Sequence, residues 1–219
     1  MPRSNLLEDE RAAVAAASRR LAADGLVRGT SGNVSARAGD HVAVTPTGAQ
    51  LATLEAEHVA VVDLDGSPVG GPLAPTSELG LHLGVYRRYG AGAVVHTHAP
   101  TATALACVLD ELPCVHYEML ALGGPVRVAP YATFGTPELA TGVLDALEGR
   151  TAALMSNHGT LTHGGGLDEA LRATELLEWA SELFRLAASV GTPRVLDEAE
   201  RDAFLAAVRE RDYGQVHEA

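Results

Sequence analysis

Apolar positions recur with two different periods along the chain, and the change of period predicts a mixture of helices and strands. An alanine-rich segment with helical spacing runs from Leu7 to Asp24 and ends at Gly25, a residue type common just after a helix. Short apolar runs bounded by turn residues predict strands instead. The predicted strands are 34–36, 41–44, 59–64, 93–98, 126–128 and 152–155.

Further helical patterns are separated by polar turns. Thr76 or Ser77 is expected to cap one helix, and Thr136 followed by Pro137 is expected to open another. The remaining predicted helices lie at 103–109, 168–190 and 197–209. Helices and strands alternate without a linker or repeat, so residues 1–219 are expected to form a single α/β or α+β domain. The periodicity leaves open whether the sheet is parallel or antiparallel.

The charge balance narrows the range of partners. There are 16 basic and 28 acidic residues, a net charge of −12, which disfavours nucleic acid and anionic membranes as partners. No segment has the pattern of a signal peptide or a membrane span, which favours a cytoplasmic location. Cys107 and Cys114 are predicted to be small core residues in a reducing compartment.

All 16 basic residues are arginine, and the absence of lysine restricts the chemistry. Without lysine the chain can form no Schiff base with a carbonyl substrate and cannot anchor pyridoxal phosphate. A Walker-type phosphate loop is excluded for the same reason. Carbonyl chemistry in this protein would therefore need a different electron sink.

Three histidines stand at predicted strand ends. His96 and His98 are two residues apart, so their side chains lie on one face of a strand. His158 follows another strand and precedes Gly159, which permits close backbone approach. Such a set suits a divalent, zinc-like ion, although histidine pairs also occur on strands by chance. The histidines without such a context, expected to be surface or packing residues, are His41, His58, His82, His163 and His217.

Glu78 and three polar turns are the other candidate functional features. Glu78 either interacts with a helix dipole or acts as an acid–base group beside the metal. The turns at 29–33, 45–48 and 76–78 could be ordinary loops, or could donate hydrogen bonds to a phosphate. Together with the histidines they suggest one pocket for a metal and an anion.

These motifs, in this order and spacing, resemble the class II aldolase/adducin family over nearly the whole chain. The motifs are GTSGNVS at 29–35, TPTG at 45–48, TSE at 76–78, HTH at 96–98 and NHG at 157–159. The His116-Tyr117 pair, the run PYATFGT at 130–136 and Tyr213-Gly214 are similar to members that cleave L-fuculose 1-phosphate. The resemblance implies an α/β (α+β) domain with a central, mainly antiparallel sheet flanked by helices.

The resemblance also implies a reaction. Family members use Zn²⁺ in place of a Schiff base to stabilise an enediolate, one ion per subunit, although other divalent metals are possible. His96, His98 and His158 would hold the ion with Glu78, which becomes the base once a ketose 1-phosphate binds. The expected products are dihydroxyacetone phosphate and a short aldehyde such as L-lactaldehyde.

Further roles follow from the same resemblance. The residues that match the phosphate pocket are Asn33, Thr47, Gly48, Thr76 and Ser77. Tyr117 and Tyr213 match catalytic tyrosines near the aldehyde, and Phe134 matches a residue of the aldehyde pocket. In relatives these groups come partly from a neighbouring subunit, which implies a homotetramer with active sites between subunits. Glu118 departs from the pattern, because the family tends to have an apolar residue there.

Other readings remain open. The scaffold also supports 5-deoxyribulose 1-phosphate aldolases, pentulose-phosphate 4-epimerases, and sugar-phosphate dehydratases and decarboxylases. The epimerases are expected to have an aspartate soon after His116, and 117–123 has none. A non-catalytic adducin-like interaction module need not retain the three histidines and Glu78, which are all present here. A metal-storage or zinc-sensing protein would have no use for the phosphate turns.

Overall fold

The computed structural model describes residues 7–211 and places nine strands of that part of the chain in one sheet. The strands are β1 (Asn33–Ala38), β2 (His41–Val44), β3 (Ala60–Asp63), β4 (Pro68–Gly70), β5 (Ala93–Thr97), β6 (Glu111–Leu112), β7 (Val126–Ala129), β8 (Ala152–Met155) and β9 (Gly159–Gly164). The helices are α1 (Glu8–Ala23), α2 (Leu79–Tyr89), α3 (Pro100–Ala106), α4 (Pro137–Ala146), α5 (Leu167–Val190) and α6 (Glu198–Arg211).

The strand order is β4-β3-β2-β1-β5-β9-β8-β7-β6. In the described part of the chain every strand pairing is antiparallel except that of β7 with β8. The implied α/β fold with a mainly antiparallel sheet is therefore confirmed. Two central pairings matter for the site, because they place Asn33 opposite His96 and His96 opposite Leu161.

Apolar side chains alternate between the two faces of the sheet, and each face has its own core. Val95 of β5 packs in a core shared with α1, α3 and α5. Its neighbour Val94 points to the opposite face and packs with residues of α2 and α4. The period of two in the strands thus sorts the helices into two layers. No helix within residues 7–211 has the length and hydropathy needed to cross a bilayer.

The predicted strands and helices are present, with shifted ends, but the sequence missed β4, β6 and β9. The strand β9 contains two buried polar residues, Thr160 and Thr162. Their hydroxyls form hydrogen bonds with the hydroxyls of Thr97 and Thr174, respectively. An apolar run therefore does not mark it. The helix expected at 103–109 begins earlier, at Pro100.

Three local expectations were wrong. Neither Thr76 nor Ser77 caps α2, because Glu78 occupies the position before the helix, and the Thr76 hydroxyl accepts a bond from the Glu78 amide at 3.3 Å. His158 does not end a strand and lies in the turn between β8 and β9. Cys107 is exposed, since it follows the last residue of α3, whereas Cys114 is buried as expected.

The cap predicted for α4 is confirmed. The Thr136 hydroxyl accepts a hydrogen bond from the Leu139 amide at 3.3 Å, and Pro137 occupies the first helical position. Proline fits there because its missing N–H would have had no partner inside the helix. The cap stabilises the helix that covers one face of β7 and β8.

Replacing Thr136 by alanine is expected to lower the free energy of unfolding by about 1 kcal/mol, since one amide of the first helical turn loses its acceptor. Urea denaturation of the whole protein measures the change. Thr141→Ala is the matched control, because the exposed Thr141 hydroxyl only bonds back to the Pro137 carbonyl. Equal stability losses in the two variants would contradict the capping role.

Candidate active site

The three histidines of the HTH and NHG motifs lie together at one end of the central strands. His96 is in β5, His98 follows that strand, and His158 is in the turn that leads into β9. Because β9 lies between β5 and β8, this turn lies beside the end of β5. One ring nitrogen from each histidine lies within 4.8 Å of the others, and the Nε2 atoms of His96 and His98 are 3.1 Å apart.

The close approach of these segments depends on Gly159. A Cβ atom at this position would lie 2.4 Å from the Thr97 carbonyl oxygen and 2.9 Å from Cδ2 of His98. Neither distance is compatible with a side chain, and one of the two neighbours is rigid strand backbone. Only glycine lets β9 begin this close to the histidine cluster.

Hydrogen bonds and burial prepare the imidazoles for a cation. His96 Nδ1 donates to the Thr160 carbonyl at 2.8 Å, so its Nε2 is left for a metal ion or a second proton. Burial, reinforced by electrostatic repulsion between the neighbouring histidines, lowers the pKa of His98 to about 4. Burial likewise lowers the pKa of His158. At neutral pH these two rings are therefore uncharged, the state that coordinates a metal.

Glu78 faces the cluster from the residue that precedes α2 and is only 7% exposed. Its Oε2 lies 3.2 Å from His96 Nε2, and its Oε1 lies 3.5 Å from His158 Nε2. Burial raises the pKa of this carboxyl, but hydrogen bonding and charge at His96 and a bond from Asn33 outweigh burial and hold the pKa well below its usual range. Glu78 is consequently ionised.

The donor set fits a divalent metal ion. Oε1 of Glu78 is buried with no hydrogen-bond partner, which is costly for an anion unless a cation lies near it. Three imidazole nitrogens with one carboxylate oxygen are ligands that zinc accepts, and they leave no need for a cysteine. The arrangement can therefore hold a Lewis acid next to an ionised carboxylate.

A cavity of about 470 Å³ opens onto this cluster. It is lined by His98 and by residues of five further segments, and the residues matched to a phosphate pocket are all among them: Asn33, Thr47, Gly48, Thr76 and Ser77. The turns at 45–48 and 76–78 are adjacent because the Thr76 amide donates to the Thr45 carbonyl at 3.0 Å and the Thr47 amide to the Ala74 carbonyl at 3.0 Å. Phe134 also lines the cavity and is 65% exposed.

The structure does not bring Tyr117, the one matched tyrosine among the described residues, into this cavity. Tyr117 lies in a 3₁₀ helix (Tyr117–Leu122) and packs against Phe204 of α6, with the rings tilted and their centroids 4.7 Å apart. It lines a separate apolar groove together with Glu118, which is exposed. Tyr213 lies outside the residues that the structure describes.

Sequence reasoning missed three residues of the site. Tyr131 and Asn157 line the cavity, and their places inside the PYATFGT and NHG motifs were the available signal. Asn157 has a φ of 54°, a left-handed conformation that asparagine tolerates better than most residues. His82, expected on the surface or in packing, is fully buried and forms a hydrogen bond with Asn33, which no local pattern indicates.

Comparisons with known proteins agree with this geometry. The family model described as Class II Aldolase and Adducin N-terminal domain matches residues 12–184. The chain is 36% identical to 5-deoxy-D-ribulose 1-phosphate aldolase of Bacillus thuringiensis serovar kurstaki, covering 96% of this chain and 99% of that protein. It is 38% identical to L-fuculose phosphate aldolase of Escherichia coli K12, covering 77% of this chain and 79% of that protein.

The structure of this chain is similar to a solved structure of L-fuculose 1-phosphate aldolase over nearly the whole length of both chains. The TM-score is 0.89 at 32% sequence identity, and the match covers 95% of this chain and 100% of that one. The likeness therefore extends to the loops that surround the cavity as well as to the sheet.

Gly159→Ala is expected to weaken metal binding by about 10- to 100-fold, because the added methyl group pushes the His98 ring or the end of β5 out of place. Titration with zinc against a competing chelator measures the affinity. In Gly166→Ala, the control, the methyl group meets nothing within 4 Å. Unchanged affinity in Gly159→Ala would show that the close approach does not hold the ligands.

Proposed function

Because the chain belongs to the class II aldolase and adducin family, we propose that it is a zinc-dependent aldolase acting on a ketose 1-phosphate of the L-fuculose 1-phosphate type. The products would be dihydroxyacetone phosphate and a short aldehyde such as L-lactaldehyde. One observation carries the proposal: an ionised, buried carboxylate with an unpartnered oxygen faces three histidines at a cavity lined by polar turns.

His96, His98, His158 and Glu78 would hold one zinc ion per subunit. When bound, the ion supplies a Lewis acid that stabilises negative charge on the substrate oxygens. The absence of lysine supports this assignment, since the alternative electron sink of an aldolase is a lysine Schiff base.

The phosphate group would bind to Asn33, Thr47, Gly48, Thr76 and Ser77. These residues offer amide and hydroxyl donors, and the described lining of the cavity includes no arginine. The start of α2 lies directly after the 76–78 turn, so the positive end of its helix dipole adds a favourable field for an anion. A neutral pocket of this kind suits a phosphate that is bound and released in each turnover.

Glu78 would move the proton at carbon. Cleavage breaks the bond between C3 and C4 of the ketose: the ionised Glu78 would accept the proton of the C4 hydroxyl as C4 becomes the aldehyde, and the electron pair stays on C3. Glu78 then gives a proton to C3, which completes dihydroxyacetone phosphate. In the condensing direction the carboxylate would remove the same proton, and the low pKa of Glu78 keeps it ionised before the substrate binds.

The aldehyde would lie at the open end of the cavity, beside Phe134. Tyr117 and Tyr213 are proposed to donate to the aldehyde oxygen from a neighbouring subunit of a homotetramer. The position of Tyr117 supports a contribution across an interface, because within one chain it lines a groove apart from the cavity.

A second candidate substrate is 5-deoxyribulose 1-phosphate. The relative named for it aligns over 96% of this chain, whereas the E. coli relative named for L-fuculose phosphate aligns over 77%. The two substrates share the phosphate end and differ only in the aldehyde. Comparing kcat/KM for both ketose phosphates decides between them.

Zinc-loaded protein is expected to exchange a proton of dihydroxyacetone phosphate for deuterium, since the exchange needs only the metal, the phosphate site and Glu78. NMR of the substrate in D₂O follows the reaction. Protein treated with a chelator is expected to lose the activity and to recover it on addition of zinc. A folded, zinc-loaded protein without exchange would favour the epimerase, dehydratase or decarboxylase alternatives.

Glu78→Gln is expected to slow this exchange by about 10²- to 10⁴-fold, because the amide keeps the shape of the side chain but cannot accept the proton. Zinc content, measured on the same sample, should be retained through the three histidines. Glu148→Gln makes the same chemical change in an exposed ion pair with Arg88 and should exchange at the wild-type rate. Wild-type exchange by Glu78→Gln would remove Glu78 from the mechanism.

A further inference from the structure

A buried row of polar side chains runs from Glu78 into the interior. Its members, none more than 4% exposed, are Asn33, His82, Ser35 and Tyr86. Asn33 and Ser35 are two residues apart in β1, so they point to the same face of the strand. His82 and Tyr86 follow Glu78 at intervals of four residues, which aligns all three on one face of α2.

The hydrogen bonds in this row have a single direction. Asn33 Nδ2 donates to Oε2 of Glu78 at 2.9 Å, so the NH₂ group of the Asn33 amide faces the carboxylate. The Asn33 carbonyl oxygen then faces His82 Nε2 at 2.5 Å, which makes Nε2 the protonated nitrogen.

The rest of the row follows from that tautomer. His82 Nδ1 has no proton and accepts from the Ser35 hydroxyl at 2.6 Å. The Ser35 oxygen in turn accepts from the Tyr86 hydroxyl at 2.5 Å. Every donor in the row therefore points towards Glu78, and aligned hydrogen bonds of this kind reinforce one another.

Burial keeps the row in one protonation state. It lowers the pKa of His82 to about 3, so the ring is neutral across the physiological range. Burial also raises the pKa of Tyr86 above its ordinary value, so the phenol keeps its proton. The hydrogen bonds between these side chains therefore keep the same direction throughout the physiological pH range.

We propose that His82 is a positioning residue, which acts through Asn33 to hold the Glu78 carboxylate in its catalytic orientation. The His82 N–H fixes which way the Asn33 amide is turned. The Asn33 NH₂ then ties down Oε2 of Glu78 and leaves Oε1, the oxygen without a partner, facing the histidine cluster. This inference rests on the proposed function, since it assigns a purpose to the orientation of the proposed base.

Loss of the His82 donor would free the Asn33 amide to rotate. Its carbonyl oxygen could then face the Glu78 carboxylate, and repulsion between the two acceptors would turn the carboxylate away. A displacement below 1 Å is enough to slow a proton transfer substantially, whereas the phosphate donors of the other turns stay in place.

Three variants test the proposal through deuterium exchange into dihydroxyacetone phosphate. His82→Leu removes the donor, and its kcat is expected to fall by about 10- to 100-fold with a much smaller change in KM. His82→Gln keeps an N–H that can reach Asn33 and is expected to recover most of the rate. Thr174→Val removes a buried hydroxyl that bonds to Thr162 on the other face of the sheet, so it should lose stability but keep its kcat.

A second measurement needs neither metal nor turnover. In metal-free, ¹³C,¹⁵N-labelled wild-type protein, long-range ¹H–¹⁵N correlation is expected to show His82 as the Nε2–H tautomer, the ring being assigned through its correlations with the backbone of residue 82. The same spectra should show slow solvent exchange of the Asn33 side-chain amide in wild type and faster exchange in His82→Leu.

The outcomes separate the inference from the function on which it rests. If zinc-loaded wild type catalyses no exchange, the proposed function fails. If wild type exchanges and His82→Leu matches it, or if His82→Leu, His82→Gln and Thr174→Val all slow equally, the positioning role is overturned. An Nδ1–H tautomer of His82 in wild type would also overturn it, even if no His82 variant can be purified in a folded form.

Discussion

The structure depends on compensating the negative charge of one buried carboxylate, that of Glu78. Glu78 is ionised although it is only 7% exposed, and an unpaired carboxylate in such a place would cost several kcal/mol. One of its oxygens is bonded by Asn33, while the other has no hydrogen-bond partner and faces His158. The fold therefore needs a positive charge at the histidine cluster. A bound metal ion would meet that need and, in the proposed function, would also be the chemical centre of the site.

The sheet brings these groups together because its order differs from the order of the sequence. β1 and β5 are far apart in the chain but pair directly, so Asn33 stands opposite His96. On the other side of β5 lies β9, which carries Thr160, whose carbonyl orients the His96 ring. The same three strands thus supply a ligand, its hydrogen-bond acceptor and the residue that holds the carboxylate. Small changes in register would separate all three.

Features with a local cause could be predicted from the sequence, and features with a tertiary cause could not. The cap at Thr136 follows from a few adjacent residues, and the shared face of His96 and His98 follows from strand geometry. The strand β9 escaped prediction because its buried threonines find partners only in the folded protein. The role of His82 was hidden for the same reason, since its partners Asn33 and Ser35 lie 49 and 47 residues away in the chain.

The strongly acidic composition bears on how a phosphate group would be attracted to the site. With a net charge of −12 and no lysine, the protein offers a phosphate little long-range attraction. In the proposed function the attraction would be local, supplied by the hydroxyl and amide donors of the polar turns and by a metal ion within the same cavity. Without the ion, the ionised Glu78 leaves this cavity with a negative charge that opposes the substrate phosphate. Metal binding and phosphate binding should consequently stabilise one another, although no residue among the proposed ligands is also needed to touch the phosphate.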